Sequence, residues 1–323
     1  MAAYNSAMDE YAPPTAAEDD ARAPAGDAPL RFTPHPLRFD EVRVENTNHC
    51  GYNCFMCPRD KLTRDLGFMP IEDFDLVVGR LGDYRGQIHL HGFGEPLLDN
   101  ELAAKVRRAK TRCPDTHVMF FTTLGVKKND RYFRELAASG VGHIRVSFYG
   151  FSPETYKKVA GVNTFDLAKR NLQTLAEARA AVGADFDIML QTWSDEVWSK
   201  WPAEARRRRD DFLRWTDEIG VLRNAVDIVH NYGGGRAYNE PPAEGLCSVA
   251  WGMRRRILQV TWDLDIIPCC FDFNASVPFG NLRTHSLEEI FAGETYRNFI
   301  DAHLANRIED YPVCVGCERC FQP

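Results

Sequence analysis

The sequence predicts an α/β fold: a partial (β/α)6 TIM-like barrel followed by a small cysteine-rich C-terminal extension. Three observations carry this expectation. From Leu37 to His230, short runs rich in β-branched and aromatic residues alternate with helix-period segments, and six such strand-helix units imply a parallel sheet with right-handed crossovers. The glycine-rich and polar turns follow strands, at the end where barrels carry their function. After Asn231-Tyr232-Gly233-Gly234-Gly235 the alternation stops, and six of the ten cysteines follow.

Residues 1–36 are rich in Ala, Pro, Asp and Glu and hold almost no large apolar side chains, so a disordered tail is expected there. The barrel body is expected over 37–232. Its first strand, over 40–46, alternates Val42 and Val44 with charged residues and leads into a cysteine loop. A helix starts at about Pro70, with Glu72 and Asp73 in its first turn. A second strand over 87–90, a Gly-rich turn and a helix over 102–110 come next. A third strand over 117–122 precedes a helix over 130–139 that stops at Gly140. The fourth strand, 144–148, leads to Ser152-Pro153-Glu154, a cap followed by proline at the first helical position. A long helix over 165–181, a strand over 186–191, a helix over 210–219 and a strand over 226–230 complete the six units. The arginine run 206–209 reads as a solvated helix face. In the extension, expected over 233–323, a hairpin is predicted through 257–260 and 265–269, and a helix over 286–291.

With 323 residues and 44% hydrophobic content the chain can bury a sizeable core. A net charge of -7 speaks against general nucleic-acid or membrane-surface binding, and no apolar run is long enough to span a bilayer. Ten cysteines without a secretory signal point to metal binding in a reducing, cytoplasmic compartment rather than to a disulfide framework.

Cys50, Cys54 and Cys57 supply three thiolates on one short loop, whereas tetrahedral zinc or an iron-sulfur cube takes four ligands. One coordination position stays open for a substrate or cofactor. Zinc with a fourth ligand such as His49 is the alternative.

This CxxxCxxC loop resembles the signature of the radical S-adenosylmethionine (SAM) superfamily, in which three cysteines hold a 4Fe-4S cluster and SAM chelates the fourth iron. Met56 stands where members place a residue, often aromatic, that packs near the adenine. His91-Gly92-Phe93-Gly94-Glu95-Pro96 resembles the superfamily's GGEP motif, with Phe93 in place of the first glycine. The resemblance makes Gly94, Glu95 and Pro96 SAM-binding, the carboxylate facing the SAM ammonium in a charge-assisted hydrogen bond. Thr123 lies in a segment similar to the family's TNG turn, without its asparagine, and Ser147 matches a strand-four position used for the SAM ribose or carboxylate. Met189, Leu190 and Gln191 end the fifth strand, where relatives place residues round the adenine.

Cys247, Cys269, Gly280-Asn281-Leu282, the segment 286–290 and the terminal cysteines resemble SPASM/twitch extensions. The resemblance implies one auxiliary 4Fe-4S cluster on Cys247, Cys269, Cys314 and Cys317; Cys320 can replace one of the last pair, Cys270 can replace Cys269, and structural zinc would suit four such thiolates too. The implied activity is that of a radical SAM oxidoreductase. It would cleave SAM reductively to a 5'-deoxyadenosyl radical, take hydrogen from a small carbohydrate-like or natural-product molecule, and pass an electron to the auxiliary cluster. An electron donor such as flavodoxin or ferredoxin is the implied partner, with no nucleic acid and no membrane. A small substrate is favoured because residues 1–36 leave no room for a peptide-recognition domain. The alternatives are a peptide maturase, an epimerase, in which Cys270 would donate hydrogen, or a dehydratase, and a non-catalytic zinc-stabilised scaffold. Trp193 and Trp198, in the loop expected over 191–200, are candidates for lining the substrate pocket.

Overall fold

The computed structural model describes residues 37–226, 230, 232–236, 246–247, 256–317 and 320–321, with the side chains of Leu246, Cys320 and Phe321 left aside. The expected tail over 1–36 lies outside the described residues, as does most of 227–231. Strand-helix units run in order: β1 Glu41–Val44, α1 Ile71–Arg80, β2 Gln87–His89, α2 Leu102–Arg112, β3 His117–Thr122, α3 Asp130–Ala137 and β4 His143–Ser147. There follow α4 Pro153–Ala160, α5 Phe165–Val182, β5 Asp187–Trp193, α6 Asp195–Ser199, α7 Ala203–Glu218 and β6 Leu222–Val226. Beyond these come β7 Leu246–Cys247, β8 Ile257–Val260, β9 Asp265–Ile267, β10 Gly280–Asn281, α8 Leu287–Ala292, α9 Glu294–Leu304 and β11 Cys320–Phe321.

β1 through β6 pair in sequence order and in parallel, forming the partial TIM-like barrel. Even-numbered strand residues such as Val42, Ile88, Phe120, Val146 and Leu190 are fully buried in the apolar core. In register, Arg43 lies beside His89, His89 beside Met119, and Arg145 beside Met189, so the odd-numbered side chains share the opposite face and line the lumen. That face is polar, where barrels more often fill it with branched apolar residues.

The sheet does not stop at the expected boundary. β8 pairs in parallel with β1, and β9 and β10 continue outward, so the extension's hairpin belongs to the same nine-stranded sheet. β1, which carries the cysteine loop, is thereby flanked on both sides and held rigid.

Several elements start elsewhere than the sequence implied. Pro70 is the cap of α1 rather than its first residue, whereas Pro153 does open α4 behind a Ser152–Thr155 capping box. α7 begins at Ala203, because the arginine run is itself helical and pairs with Glu204 and Asp195 on the exposed face. The sixth strand begins at Leu222 and pairs with Met189–Trp193 as the sheet's outer strand, where polar residues such as Arg223 and Asn224 are tolerated. The loop expected over 191–200 is the end of β5 plus α6. Trp198 is 1% exposed and packs on Phe151 at 5.2 Å, which makes it core and not pocket lining. Among the described residues no helix is long and apolar enough to cross a membrane.

Candidate functional site

The cysteine loop leaves the C-terminal end of β1 and is tied down by main-chain bonds. Asn53 N donates to Ala160 O at 3.1 Å and Phe55 N to Val159 O at 3.1 Å, so the last turn of α4 supplies carbonyls that hold the loop. Tyr52 sits buried beneath, its hydroxyl 2.7 Å from Thr164 Oγ1 and 3.1 Å from Tyr156. Arg59 closes the loop by donating to Asn48 O at 2.6 Å and Phe93 O at 3.2 Å. From the far side Arg236 reaches Cys57 O and Asp60.

The turn after β2 packs directly on this loop. A Cβ on Gly94 would lie 2.1 Å from Thr47 O, so only glycine lets the two main chains approach, and Glu95 N donates to His49 O at 2.8 Å. Glu95 is 2% exposed, and its carboxylate is saturated by the chain itself. Oε1 accepts from Leu97 N at 3.1 Å and Thr122 Oγ1 at 2.5 Å, and Oε2 from Thr123 N at 2.8 Å and Thr123 Oγ1 at 2.6 Å. Glu95 and Thr123 thus meet each other, bracing the ends of β2 and β3. Pro96 opens the 3-10 turn Pro96–Leu98, buried behind them. Phe93, standing where the motif has glycine, packs between Tyr232 at 5.7 Å and Phe273 at 5.5 Å and so seats the extension on the barrel.

Cys50, Cys54 and Cys57 are half-buried and bear no disulfide. Burial pushes the Cys50 thiol up to about 11, and burial with the neighbouring Cys57 and Cys50 pushes Cys54 up to about 12. Burial raises the pKa of all three thiols, so they keep their protons at physiological pH unless a cationic centre draws them off, and this donor set suits an iron-sulfur cluster. Among the described residues no three His, Cys, Asp or Glu side chains converge tightly enough for a single ion. Met56 is half-buried against the core beside this loop.

The mouth of the barrel joins Ser147 and Gln191, both expected there, to Tyr149, which no motif pointed to. Gln191 Nε2 donates to the Tyr149 hydroxyl at 2.7 Å, and Ser147 bonds to the same hydroxyl. Tyr149, pushed up to about 12 chiefly by burial, stays protonated beside Cys54. Trp193 lies 4.6 Å from the Tyr149 ring and 6.4 Å from Phe55. Deeper in the lumen, Glu41 meets His89 Nδ1 at 2.9 Å, His89 Nε2 meets Gln87 at 3.0 Å, and Arg43 binds Glu41. Burial would raise the Glu41 pKa, but His89 and Arg43 outweigh it and hold the carboxyl well below its usual range. Burial, with Arg145, His117 and His89, lowers His143 to about 3, so it is neutral.

In the extension, Cys269 and Cys314 each interact electrostatically with Cys247 and Cys317. Cys269 is pushed up by burial and by Cys270, Cys247 and Cys317, and Cys314 is pushed up to about 12 by burial, Cys247 and Cys317. These four thiols again suit a cluster rather than free acids. Cys320 lies opposite Cys247 in the antiparallel pair of β7 and β11. Cys270 instead accepts a hydrogen bond from Arg43 Nη1 at 3.2 Å.

The radical SAM superfamily model matches residues 44–200, and the SPASM model, an iron-sulfur cluster-binding domain, matches residues 247–321. Among curated proteins the chain resembles one named "Probable GTP 3',8-cyclase" from Methanococcus aeolicus, 29% identical over 147 residues, 45% of this chain and 48% of that protein. A protein of the same name from Thermococcus kodakarensis is 26% identical over 191 residues, 58% of this chain and 56% of its own. The chain thus spans about half the length of the curated relatives it matches. Among solved structures it shares the fold of BtrN in complex with AdoMet and 2-DOIA, with a TM-score of 0.54 at 18% identity over 88% of this chain and 97% of the other. It also shares the fold of native anSMEcpe with bound AdoMet and Cp18Cys peptide, with a TM-score of 0.55 at 14% identity over 87% and 89%. The chain belongs to the radical SAM superfamily and carries a C-terminal SPASM iron-sulfur cluster-binding domain.

Proposed function

We propose that this radical SAM protein oxidises a small, polyhydroxylated, carbohydrate-like molecule held in the barrel lumen. Its cofactors are 4Fe-4S clusters and SAM. Cys50, Cys54 and Cys57 are the ligands proposed for the SAM-binding cluster, and Cys247, Cys269, Cys314 and Cys317 for an auxiliary one. When bound, the first supplies the electron that splits the SAM sulfonium to methionine and a 5'-deoxyadenosyl radical, and the second supplies an acceptor for the electron left on the substrate. The chain's own side chains bind, orient and exclude water. Gly94 keeps the main chain of the turn close to the cysteine loop, and Glu95 fixes Thr122 and Thr123. Ser147, Tyr149 and Gln191 present hydroxyl and amide groups at the mouth, with Met56 beside the loop.

The observation that carries the substrate class is the lumen itself. Among the described residues His91 Nδ1, His143 Nε2 and Gln259 Oε1 are buried and find no hydrogen-bond partner, although His143 and Gln259 lie on the lumen face and His91 packs on His89 and Phe121 there. Buried polar atoms without partners cost about 1–3 kcal/mol each, so a ligand rich in hydroxyls is favoured over an apolar one. His91 and His143 are held neutral by burial, which suits them to hydroxyls rather than to charge.

A second reading, a purine nucleoside triphosphate as substrate, rests on the names of the curated relatives. One experiment separates them. Anaerobically reconstituted protein with reductant and SAM is offered aminocyclitols, amino sugars, GTP and cysteine-containing peptides, and 5'-deoxyadenosine is measured beside product mass. The proposal expects stimulation by a polyol and a product lighter by two hydrogens. Stimulation by GTP with no mass lost as hydrogen supports the second reading, and stimulation by peptide alone contradicts both.

A further inference from the structure

A buried ion pair sits where the barrel lumen meets the extension. Arg43, on the lumen face of β1, is anchored by Glu41, which is 2% exposed and itself held by His89 at 2.9 Å. Its other arm, Nη1, donates to Cys270 Sγ at 3.2 Å. Cys270 follows Cys269, which interacts with Cys270, Cys247 and Cys317, whereas the hydrogen bond from Arg43 goes to Cys270 and its charge is felt by both thiols. The guanidinium therefore stands one residue from a proposed ligand of the auxiliary centre, held in place from behind. The charges acting on Cys50, Cys54 and Cys57 are others, namely Glu95, Arg59, Asp60 and Arg236.

We propose that Arg43 is a positioning residue for the auxiliary centre: its guanidinium stabilises the reduced centre, and its bond to Cys270 keeps that thiol out of the ligand set. This rests on the reading that Cys247, Cys269, Cys314 and Cys317 hold an auxiliary 4Fe-4S cluster. A reduced cluster carries one more negative charge than the oxidised one, so a nearby fixed cation favours reduction. The same charge lies between the lumen and the auxiliary cysteines, where it lowers the cost of moving an electron outward from a substrate.

The test is an anaerobic redox titration of the full-length protein followed by electron paramagnetic resonance, with the parent beside Arg43→Gln and Arg43→Lys. At the parent's auxiliary midpoint, Arg43→Gln is expected to lower the reduced-to-oxidised ratio about tenfold, equal to 59 mV for a one-electron couple. Arg43→Lys keeps the charge and should stay within about twofold of the parent. The SAM-binding cluster should titrate alike in all three, which a general loosening of the fold would not allow. An unchanged auxiliary ratio in Arg43→Gln, or an equal shift in both clusters, overturns the proposal. Cys270→Ala serves as a second variant if Arg43→Gln does not fold: it should keep the iron of both clusters, and loss of auxiliary iron would make Cys270 a ligand and overturn the proposal. A parent protein with iron for one cluster alone would contradict the underlying reading, whereas two clusters without a shift would contradict only the role of Arg43.

Discussion

The two cysteine constellations are built in opposite ways. Cys50, Cys54 and Cys57 lie within one turn of chain, on a loop tied to α4 by main-chain bonds and pressed against Gly94. Cys247, Cys269, Cys314 and Cys317 come from β7, the end of the β8–β9 hairpin and the segment after α9, so their assembly depends on closing long loops. On the proposed assignment the first site is a rigid cradle with three ligands and an opening, and the second is a staple with four ligands, whose centre would hold the extension together as much as the extension holds the centre.

The largest effect that would break this comparison comes from the first site. Replacing Cys50, Cys54 and Cys57 by Ala should remove one cluster and all 5'-deoxyadenosine formation while leaving the auxiliary cluster and the melting temperature nearly unchanged. Retained 5'-deoxyadenosine in that variant would show that the SAM site has been misplaced. By contrast, Cys269→Ala should remove the auxiliary cluster, expose the extension to limited proteolysis and leave SAM cleavage running without product. An extension that stays protease-resistant in that variant would refute the staple.

Smaller changes sharpen the account of the cradle. Gly94→Ala puts a methyl group 2.1 Å from Thr47 O, which the main chain cannot yield easily, and should cost about 1–3 kcal/mol in denaturant unfolding. Glu95→Gln removes a charge that accepts four hydrogen bonds, two of them from Thr123. SAM binding by calorimetry should weaken by about 1.5–3 kcal/mol if the charge also faces the SAM ammonium. If the carboxylate acts only as a brace, Thr123→Val should weaken binding just as much.

The motifs were legible because their chemistry is local: cysteine spacing, a Gly-Glu-Pro turn and a Ser-Pro cap each sit within a few residues. The lumen was not. Glu41, Arg43 and Glu45 alternate with Val42 and Val44, and Gln87, His89 and His91 alternate with Ile88 and Leu90, so two faces could be read from the sequence. Alternation does not say whether the polar face meets bulk water or closes into a chamber, and barrel curvature decided for the chamber. The pairing of β8 with β1 escaped for a related reason, since a strand from beyond a Gly-rich junction leaves no local mark of its partner. Phe93 departs from the motif because it packs between Tyr232, at the end of the barrel body, and the extension's Phe273, contacts that no local pattern marks.

The smallest effect tests the neutral lumen. The folded-state pKa of His143, about 3, lies below the unfolded value of about 6.5, so the unfolded chain binds more protons in between and stability falls as pH drops below about 6.5. His143→Gln should flatten part of that slope between about pH 6.5 and 5 in denaturant titrations. An unchanged slope would mean that His143 is not buried neutral.

The central claim is that three cysteines leave a position open at the first centre while four close the second. The most direct measurement is electron paramagnetic resonance of the reduced parent with and without SAM. SAM should change the signal that the Cys50, Cys54 and Cys57 variant lacks and leave the other signal untouched. A SAM-dependent change in the auxiliary signal, persisting in that triple variant, would contradict the account.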